Sequence, residues 1–174
     1  MRKNVFVLAI LIVAFFSSQN AMAGDKSYGV RAGWQSAMLK YSGGDSDNLS
    51  SYYLGGYLEH DVIPFLKFGY GLEYAQMGGK VEGFGDYKLG YVGVPLYLKA
   101  KVGPLYALAG SGINFKISET DVEEKAKSTD VPVFAGIGVN FLMLSLEARY
   151  HWGMMEVQED AKNQYLQVGL AVHF

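Results

Sequence analysis

Glu147 and His151 are the side chains here whose types would suit proton transfer: a carboxylate four residues before one of only three histidines. With a serine nearby, such a pair would complete a nucleophilic triad. In a strand, however, that spacing leaves the two on one face but roughly 13 Å apart, beyond hydrogen-bond reach. The chain has no cysteine, which excludes thiolate chemistry and a disulfide framework. The acids between Glu119 and Glu124 lack the fixed ligand spacing of a calcium loop. No glycine pair opens a helix to cradle phosphate. With 15 basic against 17 acidic residues, there is no polybasic footprint for nucleic acid. The expectation is a protein that is not an enzyme and holds no cofactor or metal.

The remaining ionised groups follow a different spacing. Arg31, Glu59, Lys67, Glu73, Lys99, Glu147 and Arg149 fall in segments where residue character alternates with a period of two, as in half-buried strands. Between 67 and 77, Phe68, Tyr70, Leu72 and Tyr74 share one face, and Lys67, Gly69, Gly71, Glu73 and Ala75 share the other. Residues 144–153 repeat the pattern, as does the last strand, which ends on Phe174. Eight strands are expected, at 28–39, 51–60, 67–77, 87–101, 105–115, 131–141, 144–154 and 164–174. An even number returns both termini to one side. The connections 40–50, 78–86, 116–130 and 155–163 are long, whereas 61–66, 102–104 and 142–143 are short. This is the pattern of an eight-stranded, antiparallel, up-and-down transmembrane β-barrel in an outer membrane.

Charge decides which face points outward. Twelve of the 17 acids fall in the four long connections: Asp45, Asp47, Glu82, Asp86, Glu119, Asp121, Glu123, Glu124, Asp130, Glu156, Glu159 and Asp160. Little charge is left for the exterior of a soluble barrel. An Arg or Lys facing lipid at mid-membrane would cost roughly 2–4 kcal/mol. The polar face is therefore expected inside, with Arg31, Glu59, Lys67, Glu73, Lys99, Glu147, Arg149 and His151 forming a lumen network of paired charges. Glycines on that face, among them Gly33, Gly69, Gly110 and Gly138, make room for long side chains in a barrel this narrow. If the N-terminus is periplasmic, Trp34, Tyr74, Phe115 and Trp152 form an outer aromatic girdle, and Phe68, Phe141 and Phe174 an inner one. Pro95 lies mid-strand, where a bulge or a lost ladder hydrogen bond is expected.

At the N-terminus, Arg2 and Lys3 precede the apolar run Val5–Phe16, and Ala21-Met22-Ala23 follows a polar stretch. The run is too short to span a bilayer as a helix. It reads as a signal peptide at 1–23, leaving a barrel domain at 24–174. The mature chain then carries 13 basic and 17 acidic residues, a net charge of −4.

The segments 70–80 (YGLEYAQMGGK), 89–99 (LGYVGVPLYLK) and 146–150 (LEARY) resemble the small outer membrane β-barrel, or porin-family, proteins of Bacteroidetes type, which are OmpA/OmpX-like eight-stranded barrels. That family usually carries a carboxylate two residues before the mid-strand proline, where this chain has Gly93. The resemblance implies a Gram-negative outer membrane and no specific activity. The terminal Phe174 on an alternating apolar strand is similar to the signal read by the barrel-assembly machinery, which is thereby an implied partner. Outer-membrane lipid and lipopolysaccharide are the expected surroundings, and an extracellular partner would meet the four long connections. The expected role is structural or surface-interactive: membrane integrity, adhesion or defence. The alternatives are a narrow porin-like channel, a lipid-modifying enzyme and a soluble lipocalin-like binder. Gly33 directly precedes Trp34, however, without the intervening residue of a lipocalin G-x-W.

Overall fold

The computed structural model describes residues 26–41, 44–45, 47–81, 85–119, 129–158 and 161–174. The signal peptide expected at 1–23 and the tips of the four long connections lie outside the described residues. Eight long strands account for nearly all the rest: β1 (Lys26–Tyr41), β2 (Asp47–Ile63), β3 (Leu66–Val81), β4 (Gly85–Val102), β5 (Leu105–Glu119), β6 (Pro132–Phe141), β7 (Leu144–Gln158) and β8 (Ala161–His173). Two-residue ladders at Gly44–Asp45 and Thr129–Asp130 flank them. Each long strand pairs antiparallel with its sequence neighbours, and β8 pairs with β1, so the sheet closes. Closure satisfies the backbone groups that an open edge would leave unpaired in hydrocarbon.

The register sets the shape. Cross-strand partners lead from Tyr28 through Leu58, Tyr70, Leu96, Ser111, Val133, Trp152 and Gln164 back to Met38, ten residues further along the starting strand. Eight strands with a shear of ten tilt roughly 40° from the axis and give a backbone radius of about 8 Å. Side chains can fill a tube of that width. Each residue then adds about 2.5 Å of height along the axis.

Exposure alternates along the strands as the sequence pattern requires. On β6 it swings between buried Pro132 and Phe134 and exposed Val133 and Ala135. Val94, Leu96 and Leu98 are exposed on β4, while Tyr97 and Lys99 between and beyond them are buried.

One expectation needs correcting, and the lost ladder hydrogen bond expected at Pro95 is found. The stretches 40–50, 78–86, 116–130 and 155–163 are not loops throughout: β1 runs to Tyr41, β2 starts at Asp47 and β5 reaches Glu119. The β3–β4 ladder continues through Gly79↔Tyr87 and Lys80↔Asp86 to Val81↔Gly85, and β7 pairs with β8 as far as Gln158↔Ala161. Beyond the membrane the strands need no apolar face to keep pairing, so alternation fades before the ladder does. At Pro95 the β3–β4 ladder has a gap between Tyr70↔Leu96 and Glu73↔Gly93, and the register resumes unshifted. The missing N–H opens the ladder without a bulge.

Candidate functional site

Alternate residues of the strands converge on a lumen filled by one polar network. Near its centre, Glu147 Oε1 accepts from Arg31 Nη1 at 3.0 Å and lies 3.2 Å from Arg149 Nε, while Oε2 accepts from the Tyr106 hydroxyl at 2.8 Å. Arg31 Nη2 donates to the Tyr97 hydroxyl at 2.7 Å, and that hydroxyl donates to Glu59 at 3.0 Å. Glu59 also accepts from Lys99 at 2.7 Å. Toward the end away from the tight turns, Arg149 Nη2 donates to Glu73 at 2.7 Å. Gln167 donates to both Glu73 and Gln35 at 2.8 Å, and Gln35 donates to the Gln76 carbonyl at 2.8 Å. His151 Nε2 donates to Gln167 at 2.9 Å, and its ring is stacked against Tyr165 at 4.1 Å and Phe134 at 4.8 Å.

Arg31, Lys99, Arg149, Glu59 and Glu147 are buried, and the Glu73 side chain is 11 % exposed. Within this linked set three cations thus face three anions, and Asp130 is a further buried carboxylate beyond it. Ions taken this far from water are tolerated only when each finds a partner of opposite sign and hydrogen bonds for its remaining atoms. Tyrosine rings add to this: Arg31 sits 4.2 Å from the Tyr57 ring centre and Lys99 4.3 Å from that of Tyr106, both within cation–π range. The cavity between Glu73, Asn114, His151 and Tyr165 measures about 20 Å³, room for about one water molecule.

The glycines make this packing possible. A Cβ on Gly69 would enter the Tyr97 ring, and one on Gly138 would enter the Tyr106 ring. The two tyrosines that bind Glu59 and Glu147 therefore each lie flat over a residue with no side chain.

Seven of the eight residues expected in the lumen meet in this network. Lys67 does not. It pairs with Asp61 at 2.9 Å, with Ser27 close by at 3.3 Å, at the lumen mouth beside the tight turns. Asp61 was expected in a turn, but β2 runs on to Ile63 and turns Asp61 inward, so it supplies the fourth anion that the expected set of four cations and three anions lacked. Lys99 finds its acid on β2, at Glu59, and not two residues before Pro95, where Gly93 sits against Asn114. Among the described residues, His151 pairs with no carboxylate. Tyr97, Tyr106, Gln35, Gln167, Phe134 and Tyr165 were not expected as network members, although Gln35 shares the inward parity of Arg31 and Tyr97 that of Lys99 on the same strand.

The aromatic residues expected in girdles all point outward at the two ends. Trp34, Phe115 and Trp152 are exposed toward the far end, where Tyr52 lies beside Tyr74 and Tyr150 beside Trp152. Phe68, Phe141 and Phe174 lie at the turn end, and Phe174 stacks on Tyr28 at 5.7 Å. Mutual backbone hydrogen bonds between Tyr28 and Phe174 close the cylinder to its last residue.

A closed antiparallel cylinder with an apolar exterior and an ionic interior is an integral membrane β-barrel. The profile of the outer membrane protein beta-barrel domain family matches residues 8–174, and the chain belongs to that family. It is an outer-membrane β-barrel. Among solved structures it is similar to neisserial surface protein A (NspA), with 15% identity, TM-score 0.61, and coverage of 84% of this chain and 97% of that one. It is also similar to Ail, the attachment invasion locus protein of Yersinia pestis, solved with the heparin analogue sucrose octasulfate, with 16% identity, TM-score 0.57, and coverage of 86% and 99%. At such identity these likenesses concern the fold. No curated protein matches the chain.

Proposed function

We propose that this barrel serves as a closed membrane scaffold that displays its four outer connections, with a structural or surface-interaction role and no enzymatic one. The observation that carries this is the ion-paired lumen. The chain Lys99–Glu59–Tyr97–Arg31–Glu147–Arg149–Glu73 crosses the bore without a break, and the neighbouring cavity of about 20 Å³ cannot pass a hydrated ion. A narrow channel is thereby disfavoured, and function passes to the ends of the barrel. In this reading both termini are periplasmic, Phe174 is presented to the assembly machinery during insertion, and phospholipid and lipopolysaccharide surround the apolar belt between the two girdles.

The outer connections set the chemistry of an extracellular partner. With Asp130 buried, eleven acids of the ranges 40–50, 78–86, 116–130 and 155–163 stand against six lysines: Lys40, Lys80, Lys116, Lys125, Lys127 and Lys162. The surface is net acidic, so a polyanion of the kind seated on Ail would be repelled. A cationic partner, or lipopolysaccharide phosphates bridged by divalent cations, fits better. Planar-bilayer recording tests the scaffold reading. The purified barrel should give no steady conductance, and openings well above leak would replace this function with that of a channel.

A further inference from the structure

The three tight turns are apolar and leave their side chains uncovered. Residues 62–66, 102–105 and 141–144 contain no charged residue, although turns are normally built from Gly, Pro, Asn, Asp and Ser. Val102 is 81% exposed, Phe141 74% and Leu142 86%, with Phe65 and Leu105 also exposed. Leu142 adopts a φ of 55°, a left-handed conformation that glycine or asparagine takes readily and leucine does not. A strained backbone carrying the most exposed leucine among the described residues points to a use for that side chain.

Height identifies what covers these turns. On β5, Phe115 of the far girdle stands ten residues above Leu105, about 25 Å along the axis and the full height of a barrel's apolar band. On β5 the band therefore reaches the turn itself, although Lys26 and His60, cross-strand partners with the outward parity of Tyr28 and Leu58, place polar groups on the outer face between β1 and β2. Inside the ring of turns, the Lys67–Asp61 pair remains partly exposed, with side chains 15% and 35% accessible. A protein capping this end would bury that pair, whereas lipid would cover only the outer circumference and leave the mouth wet.

We propose that the three turns are embedded in the acyl region of the adjoining lipid leaflet and form a hydrophobic foot that anchors the barrel. The occupant is phospholipid. This extends the membrane reading of the belt, and with the sidedness proposed above the leaflet is the periplasmic one.

Because the chain has no cysteine, single nitroxide labels report depth cleanly. Leu142→Cys, Val102→Cys and, as a belt reference, Leu98→Cys would be labelled and reconstituted in vesicles of phosphatidylethanolamine and phosphatidylglycerol. Heat-modifiable migration on gels would check folding. Collisions with dissolved oxygen should exceed those with a water-soluble nickel chelate several-fold at all three sites. Nickel-dominated collisions at Leu142→Cys and Val102→Cys, with Leu98→Cys still in lipid, would overturn the foot and leave the barrel reading intact, as would protection that arises only in native membranes. Nickel access at Leu98→Cys as well would overturn both. Val102→Cys does not disturb the left-handed residue, so the test survives if Leu142→Cys fails to fold.

Discussion

Replacing Glu147 by glutamine removes one negative charge from a network in which Arg31, Lys99 and Arg149 are paired with Glu59, Glu73 and Glu147. Glu147 holds three groups: Arg31 at 3.0 Å, Arg149 at 3.2 Å and the Tyr106 hydroxyl at 2.8 Å. Glutamine retains one acceptor oxygen, but its amide nitrogen must face a guanidinium, so at least one charged contact becomes a clash of donors. Charged hydrogen bonds contribute about 1.5–3 kcal/mol each, and breaking a buried ion pair from one side costs about 3–5 kcal/mol. Glu147→Gln should therefore lose about 3–5 kcal/mol in urea-driven unfolding from phospholipid vesicles, followed by tryptophan emission and gel migration. The double variant Arg31→Met/Glu147→Leu, which withdraws one charge of each sign, should recover part of that loss. A loss below about 1 kcal/mol for the single variant would refute the claim that the lumen charges depend on their partners.

Three further outcomes follow from the packing. Gly138→Ala pushes a methyl into the Tyr106 ring and should cost about 1–3 kcal/mol in the same unfolding assay; a neutral result would mean the ring can move aside. Leu142→Gly relieves the left-handed strain at φ 55° and should stabilise the barrel by about 1 kcal/mol in detergent micelles, whereas no gain would show that the turn is unstrained. The gap in the β3–β4 ladder opposite Pro95 should let amides near Gly71 and Leu72 exchange with solvent deuterium faster than those of Gly69 and Glu73, as nuclear magnetic resonance would resolve. Uniform protection across the four would contradict an open ladder.

The barrel was legible because a strand with oil on one side and a narrow ionic lumen on the other must alternate strictly, and segments such as 67–77 and 144–153 do. The inward set was legible for the same reason: parity alone placed Arg31, Glu59, Glu73, Lys99, Glu147 and Arg149 on one face. Their partnerships were not. Arg31 and Glu147 are 116 positions apart and meet through the closing β1–β8 seam and a shear of ten, which no local pattern encodes. Tyr97, Tyr106 and Gln167 escaped notice because tyrosine and glutamine suit either face of a strand, and only the charges they bridge give their positions meaning. The strand ends were blurred because alternation marks the membrane-spanning part, while pairing continues past it through Lys80↔Asp86.

The central claim, that hydrocarbon surrounds the cylinder and the charges lie within, is tested most directly by cross-relaxation between lipid and protein protons in nanodiscs. Methyl groups of Leu54, Leu96, Leu98, Ile137 and Leu146, all outward-facing and exposed, should show cross-peaks to acyl-chain methylenes and none to water. Water cross-peaks on those methyls, with acyl contacts absent, would contradict it.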